Sequence, residues 1–304
     1  MASVDRIVGV VGPTASGKSR LAVELAQRLG SAEIVNADSM QLYRGMDIGT
    51  AKPSIVERSV VPHHLFDVLD ITETASVAEF QSWARAAIAD CHSRGVTPIV
   101  VGGSALYVRA VFDHLDFPGT DASVRARWAA ELDSQGSAAL HAELAIRDPD
   151  AAAIILPSNG RRIVRALEVI ELTGEPFAAT MPPFDSVYDD VTFIGLDVPR
   201  DVLDARLAER VDAMWAEGFV DEVRALLGAG LSQSPTASRA LGYQQILAFL
   251  RGETTEDEAR ELTITGTRKF ARRQDRDFRK DPRIHWLQHD AEDLPDQAAN
   301  LLGR

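Results

Sequence analysis

The chain has 304 residues, a formal net charge of −13 and a composition that is 45% hydrophobic and 25% charged. These proportions are typical of a globular protein, and the length suits one large domain or one domain with a second packed on it. No apolar run approaches a membrane span, so we expect no integral membrane protein. The negative charge argues against general nucleic-acid binding, although a local basic surface remains compatible with it. Cys91 is the only cysteine, which excludes an intrachain disulfide and favours a cytoplasmic setting.

The first part of the chain alternates strands with helices. Apolar runs predict strands, and apolar residues at helical spacing predict the helices between them. In chain order we predict a strand over 6–11, a helix over 19–29, a strand over 33–36, a short strand over 65–68, a helix over 76–94 and a strand over 98–101. Alternation of this kind indicates a parallel α/β sheet, with ligands at the carboxyl ends of its strands.

The character of the chain changes over 121–185, where strand signals vanish. Helices are predicted there over 122–134, 137–146 and 161–173. An apolar strand then returns over 191–198, and helical patterns follow over 200–228, 239–251 and 255–278. We therefore predict an α/β core with C-terminal helices, formed by 1–120 and 186–304, and a helical insertion domain formed by 121–185.

The segment Gly12–Ser19 fits the phosphate-loop pattern G-x-x-x-x-G-K-[ST] at every fixed position. It lies between a predicted strand and a predicted helix, where its backbone N–H groups and the helix N-terminus make a concave anion site. Lys18 adds a positive charge, and the Ser19 hydroxyl can ligate Mg²⁺. The fold class is therefore a P-loop NTPase-like parallel sheet core with a helical insertion. The loop alone favours an ATP-dependent kinase.

Asp38 follows the second predicted strand, beside the loop. A carboxylate at this place can accept a proton from an attacking nucleophile. Its position is equally consistent with an outer Mg²⁺ ligand or a helix cap. The residues after it, through Pro53, contain a GTAKP run that kinases do not share.

Six segments carry a resemblance to a known family. In chain order they are GPTASGKS, NADSMQLYRGMDIGTAKP, PHHLFDV, VGGSALYV, RRIVRALEV and SRALGYQQ. Together they resemble the bacterial tRNA dimethylallyltransferases, also called tRNA isopentenyltransferases. The resemblance spans almost the whole chain, and its second segment is far more specific than the phosphate loop.

The resemblance implies a reaction and its partners. Members of this family transfer a dimethylallyl group from dimethylallyl diphosphate to the exocyclic amine (N6) of the adenosine at tRNA position 37, 3′ of the anticodon, and release pyrophosphate. The loop would hold the diphosphate of the donor rather than ATP, with Mg²⁺ on Ser19. The implied partner is a tRNA anticodon stem-loop, and we expect a cytoplasmic monomer.

The resemblance also implies roles for individual residues. The expected catalytic residues are Lys18, Asp38 as general base, Ser104 and Arg239. The expected donor-diphosphate residues are Gly12, Pro13, Thr14, Ala15, Ser16, Gly17, Lys18 and Ser19. The expected tRNA-binding residues are Asp38, Ser39, Met40, Gln41, Ser104, Arg125, Arg161, Arg162, Arg165, Arg239, Gly242, Tyr243, Gln244, Arg272 and Arg273. For Arg165, pairing with Glu168 on the same helix is the structural alternative.

Three other functions remain open from the residues alone. A small-molecule kinase would use ATP, an adenylate isopentenyltransferase would prenylate free AMP, and a nucleotide-switched RNA-binding protein would have no catalytic activity. The stretch 268–283 has eight Lys or Arg against three Asp, and with the insertion it favours a large RNA acceptor. Asp275 and Asp277 in this stretch would repel phosphate.

Overall fold

The structure is a computed structural model that describes residues 5–177 and 181–303. Within these residues, six strands form one sheet in the order β3-β2-β4-β1-β5-β6, and all pairs are parallel. The strands are β1 (Ile7–Val11), β2 (Ala32–Asn36), β3 (His63–His64), β4 (Thr97–Gly102), β5 (Val191–Asp197) and β6 (Ile284–Gln288). Because all strands run the same way, their carboxyl ends share one edge, where parallel sheets bind ligands.

The helices connect and cover the strands. In chain order they are α1 (Lys18–Leu29), α2 (Ile55–Val60), α3 (Val77–Ser93), α4 (Ala105–Phe112), α5 (Ala122–Gln135), α6 (Ser137–Arg147), α7 (Pro149–Ile154), α8 (Gly160–Thr173), α9 (Arg200–Ala216), α10 (Phe219–Gly228), α11 (Tyr243–Leu250), α12 (Glu256–Phe278) and α13 (Leu294–Asn300). None of the helices in the described part of the chain combines the length and apolarity needed to cross a bilayer.

The strand β1, which lies between β4 and β5, is buried on both faces, and this explains its uninterrupted apolar sequence. Val8 and Val10 pack in one core with Leu21 and Leu25 of α1. The alternate residues Ile7 and Val11, which point to the opposite face of the sheet, pack in a second core that α3 and α4 cover. The loop that follows β1 is thereby held between two buried layers.

The chain separates into two compact units, one formed by Met1–Asp113 with Ser186–Arg304 and the other by His114–Asp185. The smaller unit has its own core, in which Trp128 of α5, Leu144 of α6 and Leu167 of α8 are buried together. The domain ranges predicted from the sequence include residues 1–4, 178–180 and 304, which lie outside the described residues.

Several element predictions need correction. The predicted strand over 65–68 is wrong, because the edge strand is His63–His64 and the backbone then turns at Leu65 and Asp67, both with positive φ. The helix over 200–228 is two helices, separated at Gly218. The helix over 239–251 begins only at Tyr243. The elements α2, α4, α7, β6 and α13 were not predicted.

Candidate active site

The phosphate loop joins the carboxyl end of β1 to the start of α1. Gly17, the residue before the helix, has a left-handed backbone, and no side chain among the described residues caps the first turn. The Ser16 hydroxyl is buried and makes no hydrogen bond within the described chain. Uncapped N–H groups at a helix start and an unpartnered buried hydroxyl both indicate a site for an anion.

Two cations converge on the loop. Lys18 donates a hydrogen bond to the Pro13 carbonyl at 3.2 Å, and Arg210 of α9 donates one to the Thr14 hydroxyl at 3.2 Å. Burial, together with the nearby charge of Arg210, lowers the pKa of Lys18 to about 8, and Asp38 partly opposes both effects. Burial also lowers the pKa of Arg210, again with Asp38 opposing. Two partly buried cations near each other favour a multiply charged anion, which would relieve their repulsion.

Asp38 lies just beyond the end of β2, beside these cations. Its Oδ1 accepts a hydrogen bond from the Met40 backbone N–H at 2.9 Å, and its own N–H donates to Asn36 Oδ1 at 2.9 Å. The second oxygen, Oδ2, has no hydrogen-bond partner among residues 5–177 and 181–303. The carboxylate is therefore oriented through one oxygen and leaves the other able to accept a proton.

The turn after β4 brings Ser104 into the same site. A Cβ on Gly102 would lie 2.5 Å from the Ala37 carbonyl oxygen, so this glycine allows the ends of β2 and β4 to come together. A Cβ on Gly103 would lie 2.5 Å from Gln274 Nε2 of α12. A side chain at Gly102 would push apart the strand ends that carry Asp38 and Ser104, and one at Gly103 would displace Gln274.

A cavity of about 510 Å³ opens from these groups, and its lining comes entirely from the larger unit. Its cations are Lys18, Arg210, Arg239, Lys269 and Arg273. Its apolar side chains are Met40, Leu207, Val211, Met214, Phe219, Ala240, Leu241 and Phe270. A cavity lined by both cations and apolar side chains suits a ligand with a charged head and a short hydrocarbon group.

Lys52 fixes the segment between Asp38 and Pro53. Its side chain is 1% exposed, and its ammonium donates to the Tyr43 carbonyl, Asp47 Oδ1 and Asp67 Oδ1, each at 2.7 Å. A buried ammonium with three oxygen acceptors is fully satisfied. The lysine of the GTAKP run therefore has a structural role.

Glu222 of α10 holds the same segment from the other side. Its carboxylate accepts hydrogen bonds from three consecutive backbone N–H groups, those of Asp47, Ile48 and Gly49, at 2.6 to 3.2 Å. A Cβ on Gly49 would lie 2.2 Å from the Phe219 ring, so only glycine permits this approach. The segment is thus fastened to α10, which keeps Asp38 in place.

The residues expected to bind tRNA in the larger unit have different surroundings. Ser39 contacts the Tyr107 hydroxyl, Met40 packs on the core, and Gln41 donates to the carbonyls of Thr50 and Ala51. Arg239, Tyr243 and Gln244 line the cavity, whereas Gly242 is buried and does not line it. Tyr243 is fully buried with its hydroxyl bonded to Glu222, and Gln244 is exposed. Arg239 lines the cavity with no ion-pair partner among the described residues.

In the smaller unit, two of the expected tRNA-binding arginines are paired. Arg125 and Arg165 both bond to the carboxylate of Glu168, which is fully buried. Arg165 also donates to the Pro118 carbonyl at 2.6 Å. Arg161 and Arg162 are exposed on the same helix, α8. The pairing with Glu168 matches the structural alternative for Arg165, and tRNA contact by these four arginines stays a prediction.

Most of the basic stretch over 268–283 is also paired. Arg272, Arg276, Arg279, Lys280 and Arg283 form ion pairs with aspartates, and Arg268 donates to the Asp204 carbonyl. Lys269 and Arg273 have no ion-pair partner in the described parts of the chain. Both line the cavity, one helical turn apart. Asp275 and Asp277, which seemed to oppose RNA binding, pair with Arg276, Arg279 and Lys280 and so neutralise cations of their own helix.

Four of the expected residues lie at one site, and three residues at this site were not expected. The structure brings Lys18, Asp38, Ser104 and Arg239 together around one cavity, and their catalytic roles stay predictions. Sequence reasoning missed Arg210, Glu222 and Gln274. The one local signal was at Gln274, an uncharged residue inside an arginine-rich helix. Arg210 and Glu222 look like ordinary polar residues of amphipathic helices.

The fit of Mg²⁺ can be judged from the oxygen atoms near the loop. The Ser19 hydroxyl makes no hydrogen bond within the described residues, and Ser19 and Asp38 line a common cavity. A hydroxyl and a carboxylate are hard oxygen donors of the kind that Mg²⁺ prefers, usually with substrate phosphates completing the shell. The residues present therefore fit this ion.

The sequence of this chain matches known protein families. The family described as IPP transferase matches residues 41–281, and the family described as isopentenyl transferase matches residues 5–66. The tRNA dimethylallyltransferase of Thermobifida fusca is 62% identical over 303 residues, covering 98% of this chain and 95% of the relative. The tRNA dimethylallyltransferase of Streptomyces coelicolor is 61% identical over 302 residues, covering 98% and 96%.

Solved structures agree with this assignment. The tRNA isopentenylpyrophosphate transferase of Bacillus halodurans has a TM-score of 0.72 at 40% identity, covering 98% of this chain and 97% of that one. A eukaryotic dimethylallyltransferase acting on tRNA has a TM-score of 0.80 at 27% identity, covering 97% and 77%. This chain therefore belongs to the IPP transferase family of tRNA dimethylallyltransferases, enzymes that transfer a prenyl group to tRNA.

Proposed function

We propose that this chain transfers a dimethylallyl group from dimethylallyl diphosphate to N6 of adenosine 37 of tRNA and releases pyrophosphate. The observation that carries the proposal is the cavity that joins the phosphate loop, Asp38 and an apolar lining. In the reaction a bond forms between N6 and C1 of the donor, and the C1–O bond breaks. The bonding electrons leave with pyrophosphate, and N6 loses one proton.

The diphosphate is assigned to the loop Gly12–Ser19. The unpartnered Ser16 hydroxyl, the uncapped start of α1 and the cations Lys18 and Arg210 support this assignment. Negative charge grows on the leaving oxygen as the C1–O bond breaks. Fixed cations and N–H groups at that point stabilise the transition state more than the ground state. When bound at Ser19, Mg²⁺ would neutralise further charge on the departing pyrophosphate.

Asp38 is assigned as the general base. An adenine amine is a poor nucleophile and must lose a proton as the new bond forms. Oδ2 of Asp38 is the oxygen available for that proton, since Oδ1 is held by the Met40 N–H. Ser104 and Arg239 line the same cavity and are assigned to the diphosphate or to the acceptor.

The acceptor is assigned to the part of the cavity beyond the loop. Arg239, Lys269 and Arg273 supply cations for tRNA phosphates there, and Phe270 supplies an aromatic surface. The target base must leave its stack in the anticodon loop, which costs less in a single-stranded loop than in a duplex. We further propose a cytoplasmic monomer, because one chain supplies every residue assigned to the reaction.

The test is incubation with labelled dimethylallyl diphosphate, Mg²⁺ and unmodified tRNA, with ATP and AMP as alternative substrates. We expect label in tRNA, and digestion should place it on the adenosine 3′ of the anticodon. The variant Asp38→Asn should keep donor binding and lose roughly 10²- to 10⁴-fold in transfer rate. Absence of label from tRNA, or retention of full activity by Asp38→Asn, would contradict the proposal.

Free AMP is the second candidate acceptor. The match of residues 5–66 to the isopentenyl transferase family supports it, because that range holds the phosphate loop and Asp38 without the RNA-facing cations. The AMP arm of the experiment decides between the two acceptors. Label in AMP but not in tRNA would favour this alternative.

A further inference from the structure

We propose that Gln274 is a positioning residue that joins the phosphate loop to the turn carrying Ser104, and so sets the geometry in which the donor diphosphate binds. The inference rests on the proposed function, since it concerns the same donor site. Gln274 lies on α12, and two of its side-chain atoms bond to two different active-site segments.

The two hydrogen bonds are short and use both ends of the carboxamide. Oε1 accepts from the backbone N–H of Thr14 at 2.9 Å, and Nε2 donates to the carbonyl of Gly103 at 2.7 Å. Thr14 precedes α1, and Gly103 follows β4. The β1–β4 ladder, which pairs Val11 with Gly102, places these two segments side by side, and the amide of Gln274 fixes their separation beyond the ends of the strands.

Because Gln274 is buried, its carboxamide would destabilise the fold if it lacked hydrogen-bond partners. Gln274 is 6% exposed, and a buried carboxamide without partners would be strongly destabilising. It lies on the same helical face as Ala271 and Phe278, which are also buried. An apolar residue would fill this face equally well, so packing alone gives no reason for glutamine.

Gly103 is shaped for the same contact. A Cβ at this position would lie 2.5 Å from Gln274 Nε2 and 3.4 Å from the Gly12 carbonyl oxygen. A side chain at this position would therefore displace the Gln274 carboxamide, whereas the distance to the loop is an ordinary contact. Both residues contribute to the short distance: Gln274 supplies the amide donor, and Gly103 leaves room for it.

The bridge changes which loop atoms are available to the donor. The Thr14 N–H already donates to Gln274, and the Thr14 hydroxyl already accepts from Arg210. Diphosphate oxygens must then be bound by the later N–H groups of the loop, by Lys18 and by the Ser16 hydroxyl. Gln274 thus acts on the donor through Thr14 and is not itself a contact.

The first test replaces Gln274 by methionine, which keeps its volume and removes both hydrogen bonds. We expect kcat/KM for dimethylallyl diphosphate to fall roughly 10- to 100-fold, because small displacements of a binding frame have effects of this size. The affinity for tRNA should not change. The matched control is Gln81→Met. Gln81 does not line the cavity, and its Nε2 donates a hydrogen bond of 2.9 Å to the Ala110 carbonyl. The control should lower thermal stability without changing kcat/KM for the donor.

The second test replaces Gln274 by glutamate. A protonated glutamate offers one donor and one acceptor, as glutamine does, whereas the ionised form can only accept and would repel the Gly103 carbonyl. Burial raises the pKa of a carboxyl group at such a site, while the cations Lys18, Arg210 and Arg273 around the cavity lower it, and Asp38 opposes them. The rate relative to wild type should therefore rise as the pH is lowered.

Each outcome decides the proposal. A lower kcat/KM for the donor in Gln274→Met with unchanged tRNA affinity, together with recovery of Gln274→Glu at low pH, supports it. Donor kinetics like those of Gln81→Met, or a Gln274→Glu rate ratio that does not vary with pH, overturns it. Failure of wild type to prenylate tRNA would instead contradict the proposed function. In that case, weaker binding of inorganic pyrophosphate to Gln274→Met than to wild type still tests the bridge.

Discussion

The Tyr243 hydroxyl donates a hydrogen bond to Glu222 Oε1 at 2.6 Å. The same carboxylate accepts from the backbone N–H groups of Asp47, Ile48 and Gly49, so it links α11 to the segment that follows Asp38. Burial and the adjacent carboxylate raise the pKa of Tyr243 well above its usual value, which keeps the hydroxyl protonated as a donor. A tyrosine expected to meet tRNA therefore also anchors the catalytic segment.

This anchor gives a first prediction. Glu222→Ala leaves three backbone N–H groups without their acceptor, and we expect a loss of roughly 1–3 kcal/mol in the free energy of unfolding. Tyr243→Phe keeps the ring contact with Phe219 and should lose only about 0.5–1.5 kcal/mol. Urea unfolding measures both. The rate of prenyl transfer should also fall more in Glu222→Ala than in Tyr243→Phe, because the segment that follows Asp38 loses its contacts with α10.

The matched control is Glu253→Gln, which removes an exposed carboxylate paired with Arg251. Exposed pairs contribute little, so neither stability nor transfer should change. Equal stability of Glu222→Ala and Glu253→Gln would show that the carboxylate of Glu222 is not an anchor.

The second prediction concerns pH. The pKa of Lys18 is lowered to about 8, chiefly by burial, so its ammonium is charged below that pH and neutral above it. Donor affinity should therefore weaken as the pH rises through about 8, approaching tenfold per pH unit. The bound diphosphate favours the charged form, so binding near this pH should take up a proton. Calorimetry in two buffers with different ionisation enthalpies, without tRNA, measures that uptake.

Lys18→Arg is the control for this effect, since guanidinium stays protonated at every accessible pH. Its donor affinity should be nearly independent of pH over the range where that of wild type falls. An unchanged wild-type affinity between about pH 7 and pH 9.5 would mean that Lys18 does not titrate in the free enzyme.

The third prediction separates paired from unpaired cations. Lys269→Ala and Arg273→Ala should each weaken tRNA binding and reduce the slope of log affinity against log salt by about 0.7–0.9, the share of one phosphate contact. Arg272→Ala should have a smaller effect, because Arg272 pairs with Asp204 at 3.2 Å. Filter binding across a range of salt concentrations measures both quantities. Arg251→Ala, at an exposed ion pair, serves as the reference.

Equal losses of affinity for Arg272→Ala and Arg273→Ala would contradict this division of the basic stretch. The division depends on partners that are distant in the sequence. Arg272 meets Asp204 of α9, which lies 68 positions earlier in the chain. Charge counting along a helix cannot reveal such a pair.

The same reasoning explains which parts of the site the sequence could predict. Gly12–Ser19 was recognisable because a strand, a turn and a helix start are local features with fixed residue requirements. Asp38 was recognisable from its place after a strand. Arg210 and Gln274 reach Thr14 across 196 and 260 positions, and only the tertiary structure shows that they do.

One failed strand prediction has a physical cause of the same kind. The run over 65–68 is apolar enough for a strand, but Asp67 bonds to both Lys52 and Arg58 at 2.7 Å. These bonds hold the backbone in a turn with positive φ at Leu65 and Asp67. Tertiary ion pairs have therefore overridden a local preference.

The last prediction concerns stability in acid. Glu33, at the start of β2, accepts two hydrogen bonds of 2.6 Å from Arg94 and one of 2.7 Å from His64. The bonds from Arg94 are the largest cause that lowers the pKa of Glu33 to about 2, although burial opposes them. A carboxyl group with a lowered pKa stabilises the fold fully above its unfolded-state pKa of about 4.3 and loses that contribution as the pH falls towards 2.

Glu33→Gln should therefore lower the free energy of unfolding at neutral pH by roughly 1–3 kcal/mol, a range reduced from that of a fully buried pair because Arg94 is 42% exposed. The difference from wild type should shrink between about pH 4.5 and pH 3, where Glu33 of the unfolded chain becomes protonated. Urea unfolding at several pH values measures it, with Glu143→Gln at an exposed pair as the reference. A difference that stays constant down to pH 3 would mean that Arg94 stabilises the ionised carboxylate no more than the neutral one, and the cluster would then contribute through packing alone.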